Sequence, residues 1–111
     1  MKLYLDDIRS IPIGYEGVRG YHECINFLEK NKGNITALSL DHDLGELRTG
    51  YDVCKWLVEN EYYDGIEQII IHSANPVGVK NMLQLLDRYM PKNVELLYLD
   101  SKKEYVKYYR N

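Results

Sequence analysis

The feature that most limits what this chain can become is its regular alternation of short apolar runs with amphipathic, helix-patterned segments. Lys2-Leu3-Tyr4-Leu5, Ile35-Thr36-Ala37-Leu38-Ser39, Ile66 to Ile71 and Val94 to Leu99 read as strands. The third of these is apolar nearly throughout, as befits a central parallel strand covered on both faces. Between the runs, Tyr21, Cys24, Ile25 and Leu28 fall on one helical face that stops at Asn31 to Asn34. Thr49-x-x-Asp52 approximates a capping box for a helix reaching about Asn60, with Val53, Cys54, Leu57 and Val58 as its buried stripe. Asn75-Pro76 reads as an N-cap followed by proline at the first helical position, and Val79, Met82, Leu83, Leu86 and Met90 carry that helix inward to Pro91. Ser101-x-x-Glu104 predicts one more capped helix through Tyr109. The segment Asp6 to Gly14, interrupted by Pro12, reads as a loop, and Tyr15 to Arg19 as a short strand. Repeated strand-helix alternation implies right-handed crossovers and an α/β, doubly wound, mostly parallel sheet.

At 111 residues the chain fits one domain with one core, residues 1–111 throughout. A formal charge of -3 gives no basic field, which argues against duplex DNA as a partner. No apolar run approaches the roughly 18 residues of a membrane span, so no membrane partner is expected. Cys24 and Cys54 sit at apolar helical positions without a CxxC, the pattern of reduced core residues, and point to the cytoplasm. The eleven tyrosines are scattered and do not read as a base-stacking platform.

Chemistry gathers where the strands end. Asp6-Asp7 follows the first strand, Leu40-Asp41-His42-Asp43-Leu44-Gly45 follows the strand of residues 35–39, and His72-Ser73-Ala74-Asn75 follows the isoleucine run. In an open α/β sheet these carboxyl ends line the crevice where ligands bind. Consecutive carboxylates repel each other and are most easily understood around a cation, which makes Asp6, Asp7 and Asp41 candidate metal ligands. An oxygen-only set suits Mg²⁺ or Mn²⁺. His42 and His72, with ordinary pKa values near neutrality, suit proton transfer. Simpler readings exist for each: His72 as a satisfied core histidine, His42 as a surface histidine held by two acids, Asn75 as a helix cap, Arg9 as a solvated loop residue. Strict strand alternation also turns His42 away from Asp41.

The segments Leu5-Asp6-Asp7-Ile8-Arg9, Ser39-Leu40-Asp41-His42-Asp43-Leu44-Gly45 and Ile71-His72-Ser73-Ala74-Asn75-Pro76-Val77-Gly78 resemble the receiver domain of two-component signalling. They resemble more closely its receiver-like branch predicted to process cyclic phosphates. The resemblance implies a flavodoxin-like sheet of five strands in the order 2-1-3-4-5, here with the first helix reduced to a loop. The lysine that receivers carry after the fifth strand has no clean counterpart; Lys102 and Lys103 are nearby. The implied function is a phosphoesterase-like enzyme of the phosphodiesterase type opening a cyclic phosphate, either a cyclic nucleotide or a 2′,3′-cyclic RNA end. His42, His72, Asp41 and Asp43 would be catalytic, and Arg9, Ser73, Asn75 and Gly78 would bind the phosphate, the last through backbone N–H groups at a helix start. Two other readings stay open: a signalling module phosphorylated on Asp41 and read by Ser73, or a non-catalytic cyclic-nucleotide binder. The oligomeric state is open.

Overall fold

The structure, a computed structural model, describes residues 1–111. The elements in chain order are β1 (Lys2–Leu5), β2 (Tyr15–Val18), α1 (Tyr21–Lys30), β3 (Ala37–Leu40), α2 (Gly50–Glu59), β4 (Gln68–Ile71), α3 (Pro76–Tyr89), β5 (Glu95–Leu99) and β6 (Tyr105–Lys107). They form one six-stranded sheet in the order β2-β1-β3-β4-β5-β6. The first five strands are parallel, and β6 runs antiparallel to β5. From β1 the chain steps outward to β2, then crosses back over β1 to β3 and continues to β5. The winding therefore reverses between β1 and β3, the switch point at which α/β sheets place their ligands.

Local chemistry starts the helices where the sequence pattern puts them. The Thr49 N–H donates to the Asp52 carboxylate at 2.8 Å at the head of α2, and the Asn75 side chain accepts from the Gly78 N–H at 3.0 Å at the head of α3. Leu3, Leu5, Leu38, Leu40, Ile69, Ile71 and Leu96 project from one sheet face into a core shared with Cys24, Leu28, Cys54, Leu57, Met82 and Leu86 of the helices. Both cysteines are free and buried, and burial pushes the Cys24 thiol up to about 12. Tyr4, Ala37, Ser39 and Ile70 alternate to the opposite face and are buried as well, outside the helix-packed core. Part of that second face is covered by the loop that replaces a first helix, for Ile11 packs so closely on Gly17 that a Cβ there would lie 2.4 Å from Ile11 Cγ1.

The expected C-terminal helix is absent. Ser101 caps nothing; the Asp100 carboxylate instead accepts from the N–H groups of Lys102 and Glu104 at 2.9 and 2.8 Å. Lys103 turns through φ +61°, and the Asp100 N–H donates to the Glu104 carbonyl at 2.9 Å. These bonds close a hairpin, so β6 adds a sixth strand, with Tyr98 opposite Val106 and Leu99 opposite Tyr105. The turn chemistry of Asp100 and the β-preference of Tyr105-Val106 outweigh a capping box that had no apolar helical stripe behind it. No helix is long and apolar enough to cross a membrane.

Candidate phosphate site at the carboxyl edge of the sheet

Strand register sets the site. The ladder continues one step past each strand: the Asp6 N–H donates to Val18 O, Asp41 N–H to Leu5 O, and His72 N–H to Leu40 O, all at 3.0–3.1 Å. Asp6, Asp41 and His72 thus stand side by side on the three central strands, and their side chains share the face of Tyr4, Ser39 and Ile70.

Asp6 is 1% exposed. Its Oδ1 accepts the N–H groups of Ile8 and Arg9, each at 2.9 Å, so the acid itself shapes the following loop. Its Oδ2 faces His72 Nε2 at 3.1 Å and Arg9 Nε at 3.8 Å. Burial would raise its pKa, but the two backbone donors and His72 more than offset this and hold it below the usual carboxylate range. One ligand-capable oxygen each from Asp6, Asp7 and Asp41 lie within 4.8 Å of one another. Asp41 carries the strain of this crowding, its pKa pushed up to about 6 by burial and by the Asp6 charge despite hydrogen bonds from the His42 N–H and the Ser73 hydroxyl. Gly50 is required beside it, since a Cβ there would lie 1.9 Å from Asp41 O. Arg9 reaches across to donate to His72 O at 3.0 Å, and Arg19 donates to Asp6 O at 3.1 Å and also to Arg9 O.

The two histidines have different surroundings. His72 is 1% exposed, with Nδ1 2.7 Å from Ser39 Oγ, Nε2 on Asp6, and Tyr4 stacked parallel at 4.2 Å between ring centroids. Burial lowers its pKa to about 4, so it is neutral at pH 7, donating from Nε2 to Asp6 and accepting from Ser39 at Nδ1. His42 lies on the other side of its strand end, where its ring rests on Gly78; a Cβ on that glycine would be 2.5 Å from His42 Cγ. Its Nδ1 pairs with Asp43 at 2.7 Å, and this bond pulls the Asp43 pKa down. His42 borders a cleft between α2 and α3 with Thr49 and Tyr51, whereas Arg9 and Ser73 border a separate one.

Of the residues singled out in the sequence, Asp6, Asp7, Asp41, Arg9 and Ser73 come together. His72 joins them from beneath, with both ring nitrogens engaged by the protein. His42 and Asp43 form their own pair. The Gly78 N–H is taken by Asn75, which places both residues in the α3 cap and leaves that donor committed. Ser39 and Tyr4, the partners of His72, were not anticipated. A hydroxyl inside an apolar run, two residues before Asp41 on the same strand face, was the available signal.

Opposed shifts at His72 and Asp41 predict a specific pH dependence of stability without added metal. Between pH 6.5 and about 4 the unfolded chain protonates the histidine while the folded protein does not, so His72 removes stability as pH falls, by up to about 3 kcal/mol. Between about 6 and 3.8 the folded protein holds a proton on Asp41 that the unfolded chain has released, so Asp41 adds stability as pH falls. Urea unfolding in EDTA should therefore show a shallow profile in the wild type. His72→Gln should become more stable toward pH 4 and Asp41→Asn less stable; parallel profiles for all three would contradict these environments.

A family model described as the cyclic-phosphate processing receiver domain matches residues 1–88, which includes every residue of the carboxylate cluster. No curated protein and no solved structure matches the chain. With the match spanning β1 through most of α3, the chain belongs to the cyclic-phosphate processing receiver domain family.

Proposed function

We propose that the protein is a phosphoesterase-like enzyme that opens a cyclic phosphate by hydrolysis at this edge. The observation that carries the reading is the convergence of Asp6, Asp7 and Asp41 with Arg9 and Ser73 at the switch point of the sheet. Three carboxylates, one with its pKa raised by burial and by the Asp6 charge, carry more negative charge than Arg9 offsets, and their all-oxygen donor set fits Mg²⁺ or Mn²⁺. Bound there, such a cation supplies positive charge to the oxygens of a phosphate. Asp6, Asp7 and Asp41 would hold it, Asp6 fixed by its two backbone donors and by His72.

Arg9 presents a planar fork of donors suited to a phosphate diester, and the Ser73 hydroxyl beside Asp41 is a second donor. In the reaction, water adds to phosphorus, one ring P–O bond breaks, and a proton passes to the departing sugar oxygen. His42, paired with Asp43 on the other side of the strand end and bordering a different cleft, takes no part in this step. His72 is a positioning residue: neutral and buried, it aims Asp6.

The test is ³¹P NMR of adenosine 2′,3′-cyclic phosphate incubated with the protein and Mg²⁺. The cyclic resonance should give way to that of a phosphomonoester, and Mg²⁺ alone should raise the melting temperature by mass action. An unchanged cyclic resonance with tight binding would replace the enzyme by a binder. An unchanged resonance together with a gain of one phosphate from acetyl phosphate, lost in Asp41→Asn, would replace it by a phospho-acceptor module.

A further inference from the structure

Beside the carboxylates lies a cleft of about 750 Å³ that runs from the ends of β1 and β4 past the start of α3 to the β5–β6 hairpin. It begins at Arg9 and Ser73, the residues bonded to His72 O and to Asp41, so cleft and carboxylate cluster share a boundary. Lys80 and Lys103 add positive charge to its lining. At the hairpin Asp100 and Ser101 add polar groups, and the remaining wall is apolar and aromatic, with Tyr4 from β1, Val79 and Leu83 from α3, Tyr98 from β5 and Tyr108 just past β6. A cleft with Arg9 where it meets the carboxylate cluster, and a largely apolar, aromatic wall with polar groups at the hairpin beyond, matches a ligand that is anionic at one end and a flat ring with polar edges at the other. Its volume is within the range of small-ligand sites.

We infer that this cleft is a nucleoside subsite, so that the substrates are nucleoside cyclic phosphates, free or as the last residue of a strand, in preference to cyclic phosphates of polyols. The inference rests on the cyclic-phosphate reading above and adds the place where the base is held. A polyol phosphate would occupy the cationic end and leave the apolar wall in water; a base covers Val79, Tyr98 and Tyr108 and offers its face to the tyrosine rings. Of the aromatic residues lining the cleft, Tyr98 and Tyr108 lie beyond position 88, outside the span matched by the family model, and Tyr4 lies within it. Base recognition thus draws on the C-terminal hairpin, the element that replaces the expected last helix, together with Val79 and Tyr4.

The experiment is methyl-detected NMR and calorimetry on the full chain with four probes: adenosine, uridine, glycerol 1,2-cyclic phosphate and adenosine 2′,3′-cyclic phosphate. Nucleosides without phosphate, at millimolar concentration, should move the methyl signals of Val79 and Leu83. The adenosine cyclic phosphate should bind at least about tenfold more tightly than the glycerol one, since stacking one base is worth that much. Val79→Gln, on a half-buried helix position, should shrink that preference; Tyr98→Leu, which keeps the bulk, is the second variant should the first be unstable. Unmoved methyl signals, or equal affinity for the two cyclic phosphates, would overturn the subsite. Nucleosides that move the methyls while neither cyclic phosphate is opened would leave the subsite standing and defeat the hydrolase reading. Turnover of both cyclic phosphates without preference would do the reverse.

Discussion

Asp41→Asn is expected to lower turnover of adenosine 2′,3′-cyclic phosphate by more than about 10²-fold, since even residues one layer removed from a metal typically cost 10- to 100-fold. The same change should make the metal-free protein more stable at pH 7. Its carboxylate is held against its preference, with a pKa of about 6 from burial and the neighbouring Asp6 charge. Asparagine removes the charge, while its side-chain oxygen can still accept from the His42 N–H, which bonds Asp41 at 2.8 Å. Releasing that repulsion should be worth about 1–3 kcal/mol. The two effects have opposite signs, which separates a site carboxylate from a structural one: a structural aspartate would lose stability and activity together. Thermal melts with and without Mg²⁺ provide the check. Wild type should gain stability from the ion, and Asp41→Asn should start higher and gain little. Equal Mg²⁺-induced shifts in both proteins would remove Asp41 from the cation site.

Arg110→Ala should produce the largest loss of stability from any single side chain outside the core. The guanidinium reaches back from the C-terminus to the end of α3, donating from Nε to the Asp87 carboxylate at 3.1 Å and from Nη2 to the carbonyls of Asp87 and Met90 at 2.9 and 2.8 Å. Nη1 donates to Pro91 O and, at 2.8 Å, to Val94 O. It satisfies carbonyls that a helix end leaves without intrahelical partners, and it neutralises Asp87, which is 6% exposed. Removing it leaves a buried carboxylate whose remaining cation, Lys92, is 3.9 Å away and largely exposed. Loss of one partner from such a pair costs about 3–5 kcal/mol, a drop in melting temperature of roughly 15 °C for a domain of this size. Lysine should not rescue it, because a point charge cannot reach a fan of carbonyls and a carboxylate at once. A loss below about 1 kcal/mol in urea unfolding, the range of a surface pair, would show that the clamp is not maintained in solution.

The helix starts at Thr49 and Asn75, the proline-glycine loop after Asp7 and the buried isoleucine run were legible because each is written in neighbouring residues: a cap with its N3 partner, a stripe repeating every three to four positions, a run of β-branched side chains. The C-terminus was not, although its signals are also local. Ser101-x-x-Glu104 and Asp100 compete for the same backbone N–H groups, and the outcome turned on whether β5 had a free edge for Tyr105 to Lys107 to pair with. Sequence likewise placed Asp6, Asp7, Asp41, His42, Asp43, His72 and Ser73 at one edge, since strand ends in a parallel sheet converge, with Arg9 a candidate phosphate clamp; it did not separate the His42–Asp43 pair from the carboxylate cluster. It offered a core reading for His72 and a surface one for His42, but could not name the partners that bury His72. His72 and Asp6 are 66 positions apart, and their contact depends on β1, β3 and β4 aligning so that Leu5, Leu40 and Ile71 stand level. That register puts His72 on the face shared with Tyr4 and Ser39, where desolvation keeps the ring neutral, and leaves His42 on the other side against Gly78. Residue order determined the elements and the chemistry gathered at the carboxyl edge. Tertiary packing alone decided the protonation states and the apolar cleft, because burial and charge proximity depend on side chains brought together from distant positions in the chain.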